Sequence, residues 1–534
     1  MADCEAQTVS SLKAILALDQ GTTSSRAVVF AHDGSILGMA QHEFPQYFPQ
    51  PGWVEHDPEE IWASQLKAGR DAIAAAGLTA DRLAAVGIAN QRETALLWDA
   101  DSGKSLGNAI VWQCRRTAER CDQLREEGWD PAIREKTGLR LDPYFSATKL
   151  EWLLSARAES GTLLDQGRLR GGTVDSFLVW RLTGGRSFVT DYGNGSRTML
   201  FGLRSLDWDD DLLRVFGVPR EILARPVPSS AWLGETDPAW FGSPLPIAGL
   251  AGDQQAALFG QGCLQSGDAK NTYGTGCFVL LNTGAEPVAS QHGLLSTVAW
   301  GLGAAGSQAS DARLARGSGR AMVDASRCMP DDVEVTYALE GSVFVAGAAV
   351  QWLRDELGLI EAAADIGPLA AQVPDNGGLY FVPALTGLGA PYWDAHARGL
   401  LVGMTRGTGR AHLARATEEA ICFQVRAVLD AMTHDAGSAL SSLKADGGAT
   451  GDDFLLQLQA DLLGVPVERP RVRESTALGA AALAGRAVGF WSREDIGGLA
   501  GADRVFRPSM TDSERERLYR EWRRAAQRAL GWAG

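Results

Sequence analysis

At 534 residues the chain exceeds what one hydrophobic core can hold, and roughly two to four domains are expected. Its 45% hydrophobic and 22% charged content is that of a soluble globular protein, while a net charge of −15 with no block of Lys or Arg argues against a nucleic-acid surface. No stretch comes near the ~18 uninterrupted apolar residues of a membrane span, so none is expected.

The start, Met1 to Gln7, has neither the basic stretch nor the apolar run of a signal peptide. The cysteines (Cys4, Cys114, Cys121, Cys263, Cys277, Cys328 and Cys422) are scattered and form no C-x-x-C pair. They read as reduced thiols of a cytoplasmic protein, with neither a disulfide frame nor a zinc site.

The first informative stretch is 15–30. An apolar strand over 15–18 runs into one acidic residue, Asp19; a loop of Gly21, Thr22, Thr23 and Ser24 follows, then a second strand over 27–30. Strands joined this tightly pair antiparallel, so the loop projects from their shared edge. Backbone N–H groups and three hydroxyls make a concavity of donors that suits phosphate oxygens. Asp19, an acceptor-only group at a buried strand end, can hold Mg2+ or its water shell. The same residues also fit an ordinary hairpin with a polar tip.

A third strand is expected near 35–40, after the Asp33-Gly34 turn. Pro58, Glu59 and Glu60 open a helix over 58–76, with Ile61, Trp62, Leu66, Ala72 and Ile73 at helical spacing. Residues 86–89 read as a buried strand ending in Asn90-Gln91-Arg92-Glu93-Thr94. Arg92 can donate a fork of hydrogen bonds and Glu93 can accept two, which suits a small polyol at a strand end, where ligands of α/β sheets sit. A surface ion pair is the alternative. Trp112 and Tyr144 fit a core as well as a site. A helix is expected over 147–154 and a second buried segment over 173–182.

From Pro226 to Gly252 the chain is rich in Pro, Gly and Ser and lacks Lys and Arg, which marks it as the linker into a second domain. Gly249 to Gln255 then leads into a short helix, and Asn271 to Asn282 again sets a Gly/Thr loop before an apolar strand. Residues 443–449 are a strand ending in Asp446-Gly447-Gly448, before a helix over 453–463. Two halves of this kind would clamp a nucleotide between them. Asp253, in a glycine-flanked turn, is placed as a carboxylate that accepts a proton from a substrate hydroxyl.

Several long runs carry a family resemblance: Leu-Asp-Gln-Gly-Thr-Thr-Ser-Ser-Arg (18–26), Pro-Gly-Trp-Val-Glu-His-Asp-Pro (51–58), Asn-Gln-Arg-Glu-Thr (90–94) and Ala-Ile-Val-Trp-Gln-Cys-Arg-Arg-Thr (109–117). They continue at 251–261, 270–278 and 386–394. Along nearly its whole length the chain resembles the glycerol-phosphorylating members of the FGGY carbohydrate kinase family. The resemblance implies an α/β fold of two actin-like (ribonuclease H-like) domains, 12–248 and 249–534, with the active site in the interdomain cleft. It implies ATP-dependent phosphorylation of glycerol to sn-glycerol 3-phosphate, Mg2+ as cofactor, and a homodimer or homotetramer.

Residue by residue, the resemblance assigns glycerol to Arg92, Glu93, Tyr144, Asp253 and Gln254, with Trp112 and Phe278 packing on its carbons and Asp253 as general base. It assigns phosphates to Thr22, Thr23, Ser24, Arg26 and Thr275, magnesium to Asp19, and the nucleotide site to Gly347, Gln351 and Gly448. Where the family has an Asn near the adenine, this chain has Asp452, which keeps an acceptor and loses a donor. The regulatory loop of many bacterial members is glycine-rich and carries an Arg, and 234–246 has neither character. An insertion at about 303–332, rich in Gly, Ala, Ser and Arg, separates two alternating strands, 294–300 and 333–339, and is expected to be a mobile loop at the tip of their hairpin.

Two other readings differ in testable ways. Pentulose kinases of the family resemble one another around a Gln-Met-His-Gly segment where this chain has Asn-Gln-Arg-Glu-Thr. A non-catalytic ATP-binding protein like actin or the large heat-shock chaperones would lack the polyol ligands Arg92, Glu93 and Asp253.

Overall fold

The computed structural model describes residues 13–304 and 333–533, so most of the insertion at 303–332 lies outside the described residues. The chain forms two compact units, neither contiguous in sequence. The first takes the residues up to Gly262, the described part of Thr297–Tyr337, and Glu474–Leu499; the second takes Cys263–Ser296, Ala338–Arg473 and the residues from Ala500 on.

In the first unit β1 (Ala14–Gln20), β2 (Ser24–Phe30) and β3 (Ile36–Glu43) form an antiparallel meander, followed by helix α1 (Pro58–Ala75) and by β4 (Leu83–Asn90). Asp57 caps α1 by accepting from Glu59 N at 2.8 Å, and Pro58 sits in its first turn, as the composition predicts. Two further strands, β5 (Ser230–Glu235) and β6 (Pro246–Gly252), precede helix α2 (Asp253–Gly260). The sheet runs Leu295–Leu302, β5, β6, β4, β1, β2, β3. β1 lies parallel to β4, with Gln20 opposite Asn90, and β4 lies parallel to β6, with Asn90 opposite Gly252. Three parallel strands therefore end side by side, and ligands of parallel sheets sit beyond such ends. Near the insertion, 297–302 and 334–337 belong to neighbouring strands of the sheet, as the alternating pattern predicts.

One expectation is corrected. Residues 226–252 are not a linker: they supply β5 and β6, and Ile247 to Gly252 are fully buried. The small residues serve close packing against the helix Ser475–Ala487. A Cβ on Gly249 would stand 2.6 Å from the Ala484 nitrogen of that helix. Gly479, on the same helix, lies against the Ala256 carbonyl of α2 with no room for a side chain. Linkers and tightly packed strands thus share a composition of Gly, Ala, Ser and Pro for opposite reasons.

The second unit contains, in chain order, β7 (Ala269–Tyr273), β8 (Cys277–Gly284), α3 (Gly347–Asp355), α4 (Arg410–Ala436), β9 (Leu443–Asp446), α5 (Asp453–Leu463), β10 (Val467–Pro470), β11 (Ala502–Phe506) and α6 (Asp512–Ala529). β7 pairs antiparallel with β8 and parallel with β9, and the order continues through β10 to β11. The core is built on α4, where Phe423 stacks on Trp522 of α6 with ring centroids 5.5 Å apart. No helix among the described residues is long and apolar enough to cross a membrane.

Candidate active site

Four carboxylates, Asp19, Glu93, Asp253 and Glu474, and three guanidiniums, Arg26, Arg92 and Arg197, lie at and around the strand ends of the first unit. Asp19 ends the buried run of β1 and lies opposite Arg26 in register. Arg26 is ion-paired to Glu474, and its Nε and Nη2 donate to Gln41 Oε1 at 3.2 and 3.0 Å. Burial pushes the Asp19 carboxyl up to about 7; the Arg26 charge opposes this, and the charges of Asp253 and Glu474 add to it. A buried carboxylate with further acidic groups in its surroundings offers the oxygen donors that a hard divalent cation such as Mg2+ takes.

The loop beyond Asp19 closes as a tight turn, with Gly21 N donating to Ser24 O at 2.9 Å. Thr23 at its tip is exposed, Thr22 is half-buried, and Ser24 Oγ accepts from Gln41 Nε2 at 2.9 Å. The sequence expectation of a projecting hydroxyl loop between two antiparallel strands matches this hairpin.

Arg92 follows β4 with its side chain 2% exposed. Its Nε lies 3.2 Å from Asp253 Oδ1, its Nη1 donates to Gln255 Oε1 at 3.2 Å, and its Nη2 reaches Tyr144 Oη at 3.5 Å. Asp253 is the first residue of α2 and keeps 32% of its side chain exposed, and Gln254 N donates to its Oδ1 at 2.7 Å. Glu93 takes φ = +60°, uncommon outside glycine, and its side chain is 1% exposed. That backbone turn sends adjacent charged residues into the interior. The simple surface-pair reading of Arg92 and Glu93 therefore fails: both are buried, and their own charged atoms are 3.8 Å apart at closest.

The principal partner of Glu93 is one the sequence reading missed. Arg197 Nε donates to Glu93 Oε1 at 2.7 Å. Lys149, also buried, donates to the carbonyls of Glu93, Tyr144 and Phe145 at 3.3, 2.5 and 3.1 Å. Burial pulls its ammonium down to about 8, against the charge of Glu93. Trp112 and Tyr144 stand edge to face, with centroids 5.6 Å apart and planes at 81°, and Trp112 Nε1 donates to Thr22 Oγ1 at 3.0 Å. One indole thus links the polyol-type residues to the hydroxyl loop.

In the second unit Thr275 is exposed at the turn between β7 and β8, where Gly274 N donates to Gly276 O at 2.9 Å. Gly347 opens α3 directly against that turn: its N–H donates to Gly274 O at 3.0 Å, and a Cβ there would stand 2.6 Å from the same oxygen. Gln351 is exposed one turn further along α3, and Phe278 is half-buried on β8. Gly448 is exposed just after β9, and Asp446 Oδ1 accepts from Thr272 Oγ1 at 2.6 Å across the β7–β9 pair. Thr275, Gly347 and Gly448 therefore cluster on adjoining elements. Asp452 is the N-cap of α5, accepting from Phe454 N and Leu455 N at 2.8 and 3.3 Å.

The model of the FGGY family of carbohydrate kinases, N-terminal domain, matches residues 14–260, and that of the C-terminal domain matches 269–488. The chain belongs to the FGGY family of carbohydrate kinases. Asp19, Arg92, Glu93 and Asp253 fall within the N-terminal FGGY match, and Thr275, Gly347 and Gly448 within the C-terminal one. The chain is 56% identical over 520 residues to a glycerol kinase of Symbiobacterium thermophilum, covering 97% of this chain and 99% of that protein. It is 52% identical over 522 residues to glycerol kinase 2 of Thermotoga maritima, covering 98% and 99%. Among solved FGGY structures, that of Plasmodium falciparum glycerol kinase with ADP superposes with a TM-score of 0.87 at 33% identity, over 97% of this chain and 98% of that one. The two-domain α/β fold of the actin-like sugar kinases is thus the fold of this chain.

Proposed function

We propose that the protein transfers the terminal phosphoryl group of ATP to a terminal hydroxyl of glycerol, giving sn-glycerol 3-phosphate and ADP. The observation that carries this reading is the Arg92–Glu93–Asp253 arrangement at adjoining strand ends: a buried fork donor, a buried acceptor, and a partly exposed carboxylate 3.2 Å from the fork. A small polyol has hydroxyls that each donate and accept, and this set offers both. The full-length relatives named glycerol kinase support the same substrate.

In the reaction, Arg92, Glu93, Tyr144 and Gln254 orient the hydroxyls while Trp112 covers the carbon chain. Asp253 takes the proton from the attacking hydroxyl as its oxygen bonds to the γ-phosphorus and the bond to ADP breaks. The donors of Thr22, Thr23 and Ser24 receive phosphate oxygens, with Arg26 beside them, and in the second unit Thr275, Gly347, Gln351, Gly448 and Asp452 are the proposed nucleotide-facing set. Asp19 would hold Mg2+, which when bound neutralises phosphate charge. The five described cysteines are buried and free, which supports a reducing compartment. Assembly as a homodimer or homotetramer is retained as a proposal that light scattering decides.

A coupled ADP-release assay with glycerol, dihydroxyacetone and xylulose, with and without Mg2+, tests the reading. Mg2+-dependent turnover with the highest kcat/KM for glycerol is expected. Higher kcat/KM for xylulose, or ATP hydrolysis indifferent to any polyol, would overturn it.

A further inference from the structure

Between the polyol-type residues and the hydroxyl loop runs a second connection besides the indole of Trp112. Trp112 N donates to Thr94 Oγ1 at 3.3 Å, and Thr94 Oγ1 donates to Gln91 Oε1 at 2.8 Å. Gln91 Nε2 faces His56 Nδ1 at 3.3 Å, His56 Nε2 faces Gln46 Oε1 at 2.6 Å, and Gln46 Nε2 donates to the carbonyl of Thr22 at 3.0 Å. Both ends of this chain are already joined by the bond from Trp112 Nε1 to Thr22 Oγ1. The result is a closed ring through six residues, all of the first unit.

We infer that Gln46, His56, Gln91 and Thr94 are positioning residues that hold Trp112 in register with the Gly21–Ser24 loop; this rests on the roles proposed above for Trp112 and Thr22. Polar assignment allows one consistent orientation. Gln46 must aim its amide nitrogen at the Thr22 carbonyl, so its oxygen faces His56, and His56 must donate from Nε2. The other imidazole nitrogen is then an acceptor, which the Gln91 amide fills, leaving the Gln91 oxygen for the Thr94 hydroxyl. Every side chain in the arm donates to the next, in one direction, from Trp112 to Thr22, and such runs reinforce each link. The tautomer requires a neutral imidazole, and burial pulls His56 down to about 4.

Burial argues that the ring is more than incidental surface bonding. His56 and Thr94 are 0% exposed and Gln91 is 1% exposed, and buried polar side chains are costly unless paired. The Phe44 ring stands edge-on to the imidazole at 5.1 Å, fixing its plane. The two hydrogens of Gln91 Nε2 are shared among three acceptors, His56 Nδ1 at 3.3 Å and Gly21 O and Gln20 Oε1 at 3.1 Å each, so the same amide also ties the ring to the loop. The four members come from three segments: Gln46 after β3, His56 before α1, and Gln91 and Thr94 after β4. A displacement at either substrate-facing end is thereby resisted by three backbone segments.

The test breaks the ring at opposite ends without changing shape. Thr94→Val removes the hydroxyl near Trp112, Gln46→Met removes the amide near Thr22, and Thr94→Ser restores the hydroxyl. Each breaking variant is expected to lower kcat/KM for glycerol about tenfold, the scale of one lost buried hydrogen bond. Thr94→Ser should recover it. The double variant should be no worse than the poorer single one, since one break already opens the ring. If both variants lower Tm but leave kcat/KM within about twofold at 25 °C, or if their losses multiply, the residues are ordinary structural ones and the inference is wrong. Wild-type turnover of glycerol in the same assay reads the substrate proposal separately; if another polyol is used instead, the ring is scored on that polyol.

Discussion

Arg197 reaches Glu93 across 104 residues of sequence, its Nε donating to Oε1 at 2.7 Å, with the two side chains 0% and 1% exposed. Breaking a buried charge pair from one side leaves the other charge uncompensated, a cost of roughly 3–5 kcal/mol. Arg197→Met should therefore lower Tm markedly and raise the KM for glycerol, because Glu93 loses the partner that fixes its carboxylate. Arg197→Lys keeps the charge but not the fork, and should fall between. An unchanged Tm in Arg197→Met would mean that the nearby charge of Arg92, 3.8 Å away, suffices for the carboxylate.

Glu93→Gln separates charge from shape. The amide keeps one acceptor and adds a donor where a substrate hydroxyl would donate, so the KM for glycerol should rise by about tenfold or more while that for ATP stays within about twofold. Steady-state titration of each substrate at saturating levels of the other checks this. Equal losses for both substrates would indicate a general structural defect.

Asp253→Asn preserves volume and removes proton acceptance. A fall in kcat of roughly 10²-fold or more is expected, with glycerol binding largely retained, since Arg92 keeps Gln255 and Tyr144 as partners. Near-normal turnover would remove Asp253 from the proton path.

Gly347→Ala tests the nucleotide-facing cluster. Its Cβ would stand 2.6 Å from Gly274 O, so the β7–β8 turn bearing Thr275 must move. Overpacking of this kind costs about 1–3 kcal/mol, and the KM for ATP should rise while that for glycerol changes little. An unaltered KM for ATP would place the phosphate contacts elsewhere.

The hairpin around Gly21–Ser24, the Gly/Thr loop before the strand from Cys277, and the buried strand leading to Arg92 were legible in the sequence, because each is a short-range pattern of an apolar run beside glycine, hydroxyl or charged residues. What stayed hidden depends on distant approach. Arg197 lies in a run of small polar residues with no local cue that its guanidinium is buried against Glu93. His56 and Gln91 sat in segments noted for resemblance, yet which atom faces which can be read only after α1 and β4 are placed. Residues 226–252 misled because glycine and alanine carry no sign of whether they serve flexibility or contact with the helix Ser475–Ala487. The positive φ of Glu93 was equally invisible, since nothing in Arg-Glu-Thr demands a left-handed backbone.

Two carboxylates of the second unit give a pH-dependent test. Glu418 of α4 is buried, and its Oε2, like Oδ2 of Asp452, has no hydrogen-bond partner among the described residues. Burial, and then the charge of Asp452, hold the Glu418 carboxyl well above its ordinary range; burial likewise raises Asp452. In the unfolded chain Glu418 ionises above about pH 4.3, whereas in the folded protein burial makes it hold its proton to higher pH. The unfolded state then binds fewer protons, so the contribution of Glu418 is fully present at low pH and is lost as pH rises towards the folded value, by about 1.4 kcal/mol per unit. Glu418→Gln cannot ionise and offers a donor to Asp452. Its Tm relative to wild type should rise between pH 5 and pH 8, as wild type loses the stability that the protonated Glu418 contributes. Thermal scans of both proteins at the two pH values decide the matter: a difference in Tm that stays constant between them would mean that Glu418 ionises in the folded protein at its ordinary pH.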